Sequence, residues 1–308
     1  MTIDATWESP RAGASVAPGF GDAVTFAFGD PAANVFGVAR VGLSTGADDA
    51  VTASGLVLLF ADGEPVAVQA DGGVAVERPA WDAIDAAGLR TTVEVPLRAW
   101  TIAFVPPDGD GNTFKLRFEA TTPPAVLDAS HAAAKAGGLS GYEALCRVTG
   151  TVTVAGVART VDGLGQRGHS WGAPDWESVT IARTLSVWMD PALGVSLTAV
   201  RAQRAKAHDD EAVTAFLFEP AEEGPDRGPV PHLVDDPLFS TRYDAEDRQI
   251  AAGLELYVTE DGHARRAAGE VVCGTTLDLG RLRLDCAFFR WRMEGREGVG
   301  RYDILRRA

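Results

Sequence analysis

The chain has 308 residues, 46% of them hydrophobic, with 43 acidic and 28 basic residues and a formal net charge of −15. That length and apolar content exclude a disordered chain and allow two domains or one large one. The acidic balance argues against nucleic acid and anionic membrane surfaces as partners, since both are held by basic patches.

Cys146, Cys273 and Cys286 lie far apart with no CxxC pair, the pattern of reduced thiols in a cytoplasm. The opening residues Met-Thr-Ile-Asp-Ala-Thr-Trp-Glu show no basic n-region and no apolar h-region. The longest uncharged run, Ala50 to Ala61, is 12 residues, short of the roughly 20 that a membrane span needs. A soluble cytoplasmic protein without a membrane span is expected.

In chain order, Val24–Phe28 and Val35–Leu43 are apolar runs separated by Gly-Asp-Pro. Val51–Ala61 ends at the turn Asp62-Gly63, and Val66–Val76 carries Asp71-Gly72-Gly73, a hairpin signal. Pro79–Ala87, with Trp81 and Ile84 three apart and Gly88 behind it, predicts a short helix. Trp100–Val105 and Thr113–Ala120 flank a Pro- and Gly-rich turn. In the second arm Phe114, Leu116 and Phe118 alternate with Lys115, Arg117 and Glu119, giving one buried and one wet face. Residues 121–141 predict a linker, with a helix over Ser130–Ala136 stopped by Gly137-Gly138.

Further strands are expected at Ala144–Val154, Ala158–Asp162, Val179–Met189, Val195–Arg201 and Ala212–Glu219, followed by a surface loop over Glu219–Pro231. Leu254–Thr259, Glu270–Cys273, Leu282–Met293 and Gly298–Leu305 complete the series. Strands that do not alternate with long helices point to antiparallel sheets or barrels. A large enough barrel encloses a ligand cavity.

The functional candidates concentrate in Gly163–Trp176, Gly-Leu-Gly-Gln-Arg-Gly-His-Ser-Trp-Gly-Ala-Pro-Asp-Trp. Its glycines and proline predict a bent strand or loop. Gly163-Leu-Gly165 begins like a dinucleotide fingerprint, but no helix follows and Arg167 and His169 break the glycine pattern. Gly168-His-Ser-Trp-Gly172 matches the nucleophile elbow of serine hydrolases, with Ser170 as nucleophile. Against that, Pro174 and a β-prone run follow, no HGGG-like segment precedes it, and His208, His232 and His263 sit in charged or Pro-flanked stretches. The five histidines have no ligand spacing, so no metal is expected. Trp171, Trp176 and Trp188 read either as packed core or as an aromatic wall for an apolar or cationic ligand. Arg167 and Asp175 are harder to assign to a core, because charges are rarely buried without partners.

Taken together, Gly163–Trp176 resembles the signature of the two-domain lipocalin-like (calycin-type) superfamily of carotenoid 1,2-hydratases, AttH-type proteins and related natural-product cyclases. That signature is Gly-x-Gly-x-Arg-Asp-His-Ser-Trp-Gly-x-Arg-x-Trp. Gly163, Gly165, Arg167, His169, Ser170, Trp171, Gly172 and Trp176 match it, as do Tyr142-Glu143, Gly150–Val154, Asp162-Gly163, the ending Glu294–Tyr302 and, more loosely, Asn34–Leu43. Gly168 stands where the family has Asp, and Pro174 where it has Arg, so a carboxylate that often orients the His is absent.

The resemblance implies a mostly β protein of two lipocalin-like antiparallel barrel or sandwich domains with few short helices. The division is expected at residues 1–130 and 131–308, with the signature in the second part. It implies a hydrophobic terpenoid, polyene or polyketide ligand and cofactor-free lyase, isomerase or cyclase chemistry, which needs one acid, an aromatic wall and exclusion of water. On this reading His169 with Asp175 or Asp190 manages the proton, Glu143 being a further acid. Arg167, Ser170, Trp171, Trp176 and Trp188 then line the substrate. A non-catalytic carrier, favoured by Gly168, and a serine hydrolase acting through Ser170 are the alternatives.

Overall fold

The structure is a computed structural model that describes residues 3–12, 19–46, 49–109, 111–205, 210–220, 228–258 and 264–307. His208 and His263 lie outside the described residues. Within them the alternating apolar pattern produces strands almost throughout, with one α-helix and two short 3-10 turns. No helix among the described residues is long and apolar enough to cross a membrane.

In the first unit a meander of β1 (Gly21–Asp30), β2 (Val35–Thr45), β3 (Val51–Ala61) and β4 (Glu64–Ala75) is followed by β5 (Leu89–Val95), β6 (Ala99–Phe104), β7 (Thr113–Ala120) and β8 (Ala125–Leu127). The long hairpin of β9 (Leu139–Val154) and β10 (Val157–Gly172) then inserts between them. The strand order is β4-β3-β2-β1-β10-β9-β7-β6-β5, with β8 on β9. The sheet curls into a half-barrel. Its concave face collects every second residue: Val24, Phe26 and Phe28 of β1 with Trp100, Phe104, Phe114 and Phe118. Phe26 packs 5.4 Å from the Trp100 ring and 5.2 Å from Phe118, and burying each such side chain stabilises by about 1.5–3 kcal/mol.

The second unit opens with α1 (Ala132–Gly137), ended by left-handed Gly138. Its strands are β11 (Val179–Asp190), β12 (Leu193–Ala202), β13 (Ala212–Pro220), β14 (Pro229–Leu233), β15 (Asp236–Tyr243), β16 (Gln249–Tyr257), β17 (Arg265–Asp278), β18 (Leu282–Met293) and β19 (Arg296–Arg307). They run in the order β14-β13-β12-β11-β19-β18-β17-β16-β15. Leu185, Val187, Leu197, Leu217, Phe289, Trp291 and Tyr302 fill the concave face.

Several expectations are changed by the tertiary structure. The two units are Met1–Val126 with Leu139–Ala173, and Leu127–Gly138 with Pro174–Ala308. The signature segment therefore belongs to the first unit, whereas a division at 130/131 assigns it to the second. The cause is pairing: β10 is bonded to β1 from Gly21↔Gly172 to Gly29↔Leu164, and β9 to β7. The helix expected over Pro79–Ala87 is only a 3-10 turn at Trp81–Ala83, because Trp81 is tied down by its carbonyl to Thr91 Oγ1 and by its indole to the backbone of Glu8. Asp71-Gly72-Gly73 makes no hairpin, since β4 runs through it with an irregularity between the Ala53↔Val74 and Gly55↔Asp71 pairs. β15, whose burial alternates between exposed and half-buried, escaped sequence reading because its inward face is only partly apolar.

Gly165 shows how tightly β10 is seated. A Cβ there would stand 2.3 Å from the Ala27 carbonyl oxygen and 2.8 Å from Val148 Cγ2. We expect Gly165→Ala to lower stability in urea by about 1–3 kcal/mol. Gly72→Ala, with nothing within 4 Å of its Cβ position, should stay within about 0.5 kcal/mol of the parent. Equal midpoints for the two variants would contradict this seating.

Candidate functional site

β10 is a regular strand through the signature, so its side chains alternate. Arg167, His169 and Trp171 fall on the concave face, opposite Phe26, Val24 and Asp22 of β1 and opposite Ala144, Tyr142 and Ser140 of β9. Gly168 and Ser170 fall on the other face. A Cβ at Gly168 would meet Glu143 Cγ at 3.2 Å. The family's Asp at this position thus could not orient the His169 ring, and Gly168 removes nothing from it.

The carboxylate that does orient His169 is Asp22, 2.6 Å from Nε2. The other ring nitrogen, Nδ1, lies 2.8 Å from the Trp7 carbonyl oxygen. A carbonyl only accepts, so Nδ1 carries a hydrogen. Asp22 Oδ2 accepts from the backbone N–H groups of Arg11 and Ala12. Both ring nitrogens are thus engaged by protein groups, Nδ1 by the Trp7 carbonyl and Nε2 by Asp22 Oδ1. Both side chains are 0% exposed. The rings of Trp171, Trp81 and Tyr142 surround the imidazole at 5.0, 5.5 and 5.7 Å.

Arg167 is equally buried. Its Nη2 stands 2.8 Å from Glu8 Oε1, its Nη1 donates to the Tyr142 hydroxyl at 3.3 Å, and its guanidinium lies 5.3 Å from the Trp100 ring. Tyr142 in turn donates to Glu8 Oε1 at 2.6 Å. Burial, ahead of the opposing charge of Arg167, pushes the Tyr142 phenol upward, so it stays a donor. Glu8 belongs to a 3-10 turn, Ala5–Glu8, capped by Asp4. Arg167 and His169 together clamp this N-terminal segment, and Trp81 adds a third tie through Nε1 to the Glu8 carbonyl oxygen at 2.7 Å. At the outer edge Arg11 lies 3.7 Å over the half-buried Trp171 ring and 5.1 Å from Trp7.

The other expected site residues are placed elsewhere. Asp175 is exposed and accepts from Ser178 Oγ and the backbone N–H of Glu177; the Ser178 hydroxyl holds its carboxyl below the usual range. Asp190 accepts from the backbone N–H groups of Ala192 and Leu193 and pairs with Arg296 at 2.8 Å. Trp176 packs on Ala133, Val179 and Val200. Trp188 is buried against Phe288 on the opposite face of β11 from Val187 and Met189. All four belong to the second unit, whereas His169 belongs to the first. Ser170 is exposed near the end of β10, without the strand-to-helix turn of a nucleophile elbow. His232 lies in β14. Cys146 and Cys273 are buried free thiols whose burial pushes them up to about 12. Among the described residues no group of three His, Cys, Asp or Glu side chains could hold a metal ion.

Sequence reasoning missed Glu8, Asp22, Trp7, Arg11 and Trp81. One signal was available: in Gly-Asp-Ala-Val-Thr-Phe-Ala-Phe, period two puts Asp22 on the same face as Val24, Phe26 and Phe28. A charge on an apolar face asks for a buried partner. Breaking a buried ion pair typically costs about 3–5 kcal/mol. Asp22→Asn and Glu8→Gln should each lower stability by that order, whereas exposed Asp175→Asn should cost about 0.5 kcal/mol or less. Urea titrations placing all three together would remove the clamp from this account.

Several solved structures share the fold. An AttH-like protein of Nitrosomonas europaea is 12% identical with a TM-score of 0.65, over 92% of this chain and 91% of its own. CghA, solved with Sch210972, is 13% identical with a TM-score of 0.62, over 98% and 96%. Kievitone hydratase from Nectria haematococca is 12% identical with a TM-score of 0.61, over 98% and 91%. These likenesses are of fold alone. A search of curated proteins gives no match. A family model described as "Domain of unknown function (DUF7064)" matches residues 5–308, and the chain belongs to that family.

Proposed function

We propose that the chain is a cofactor-free lyase or isomerase of hydratase or cyclase type, acting on a hydrophobic small molecule. The observation that carries this reading is the His169–Asp22 pair: a hydrogen-bonded imidazole and carboxyl seated among Trp171, Trp81 and Tyr142 on the concave face of a sheet. Protonating an alkene or enol needs a positioned acid, a wall of π faces for the developing cation and little water. That the fold is shared with a protein named kievitone hydratase and with CghA solved with Sch210972 supports small-molecule work of this class.

In this reading Trp171 and Arg11 meet the substrate, and Arg167 and Asp22 are positioning residues. His169 delivers its proton only when the segment that takes Nδ1, Trp7–Glu8, gives way. A second reading, a carrier without turnover, is favoured by one observation: both His169 nitrogens are taken by protein groups.

Mass spectrometry of organic extracts from the purified chain, before and after incubation, separates the two. Catalysis predicts a bound hydrophobic compound that gains or loses one water, or changes retention at constant mass. His169→Gln should slow this conversion by about 10²–10⁴-fold while the compound is still retained. A compound recovered unchanged would favour carriage, and an extract with no bound compound, together with no retention of added polyenes or prenylated phenols, would sink both readings.

A further inference from the structure

At one end of the second half-barrel the concave face turns from apolar to cationic within two rungs. Deep in the sheet the facing residues are Leu197, Leu185, Tyr302 and Ala287, in register across β12, β11, β19 and β18. One rung outward, Arg183 of β11 is opposite Ile304, itself opposite Asp285. At the last rung Arg201, Ile181, Arg306 and Arg283 stand side by side on the same four strands. Four inward arginines thus meet two carboxylates, on a chain whose net charge is −15.

The two carboxylates do not exhaust the donors. Glu211 takes Arg183 Nη1 at 2.6 Å and stands 3.5 Å from Arg201 Nε. Asp285 takes Arg283 at 3.0 Å and Arg306 Nη2 at 2.9 Å. The Nε groups of Arg183, Arg201 and Arg306 are all buried and have no hydrogen-bond acceptor among the described residues, while Glu211 Oε1 and Asp285 Oδ2 meet arginines only as ion-pair contacts. The Arg183 side chain is 3% exposed. Buried N–H groups are rarely left without an acceptor, and a buried guanidinium costs more than a neutral donor when they are. The adjoining turn accepts from Arg283 Nη2 and Arg306 Nη2 through the Glu246 and Asp247 carbonyls, but not from the Nε groups, and its Asp244 and Glu246 carboxylates are held by Arg248. Beside the arginines, the Phe239 ring lies 5.3 Å from the Arg183 guanidinium, and Ile181, Val213 and Phe239 are only partly buried against the core.

We propose that this end of the second half-barrel binds the carboxylate of an amphiphilic small molecule. Arg183, Arg201 and Arg306 take the head, and Ile181, Val213 and Phe239 take the apolar body. A carboxylate suits the donors because guanidinium N–H groups match its two oxygens, and such charge-assisted bonds are the strong ones in a poorly solvated place. The proposal concerns the second unit alone and holds for an enzyme and for a carrier alike.

Calorimetric titration of the full chain with decanoate, decyl phosphate and the uncharged decanol tests it. Decanoate should bind saturably, at least about tenfold tighter than decanol, since a hydrogen bond to a charged group is worth that factor or more. It should also bind tighter than decyl phosphate, and the reverse order would overturn the carboxylate assignment. Arg201→Gln and Arg306→Gln, both partly exposed, should each weaken decanoate several-fold and leave decanol unchanged. Arg292→Gln, on the exposed face of β18, should change neither. Arg183→Met should weaken decanoate most; if it does not fold, the Arg201 and Arg306 variants decide alone. Equal binding of decanoate and decanol, no saturable decanoate binding, or unchanged affinity in both glutamine variants would overturn the site.

Discussion

The backbone ladder between β1 and β10 is the constraint on which the rest of the first unit depends. It joins segments about 140 residues apart and closes the meander of β1–β4 onto the β9–β10 hairpin. Loop-closure entropy grows only slowly with chain length, so so distant a pairing is affordable once the apolar face of β1 is covered. The same ladder brings Asp22 and Val24 into register with Trp171 and His169. Fold, division of the chain and site geometry therefore follow from one set of hydrogen bonds. The glycines of β10 serve it directly: at Gly163 and Gly165 a side chain would run into carbonyl oxygens of β1.

On that ladder sits an unusual density of buried charge. Glu8, Asp22, Arg167 and His169 are all buried on a face otherwise made of Val, Phe and Trp. Such pairs add little net stability over an apolar core, but losing one partner leaves an uncompensated charge. Their effect is to specify one arrangement: the N-terminal segment can dock only where Glu8 reaches Arg167 and where the Trp7 carbonyl reaches His169. The aromatic rings around them keep water out and so strengthen each electrostatic contact.

The second unit repeats the theme with other parts. Arg183 on β11 lies beside Phe239 and pairs with Glu211, much as Arg167 on β10 lies beside Trp100 and pairs with Glu8. The difference is in what the arginine is offered. In the first unit Tyr142 adds a hydroxyl to the Arg167 cluster, while in the second further arginines crowd the last rungs and leave Nε donors unsatisfied. Neither half-barrel meets all of its buried donors from within: Arg11 Nε of the first unit, like the three Nε groups of the second, has no hydrogen-bond acceptor among the described residues.

The sequence by itself determined the architecture. Period-two alternation in segments such as Thr113–Ala120 and Leu282–Met293, with turn residues between them, admits antiparallel sheets and little else. The spacing of glycines, Arg167, His169 and Trp171 was enough to single out the segment. What the tertiary structure alone decided was partnership. His169 was expected beside Asp175 or Asp190, which are nearer in sequence, yet its carboxylate is Asp22, 147 positions away. Strand pairing is non-local, so a pattern that says which face a residue is on does not say which strand lies beside it. For the same reason the signature was assigned to the wrong half of the chain: local composition marks residues 121–141 as a linker, whereas hydrogen bonding carries β9 and β10 back to the strands that began it.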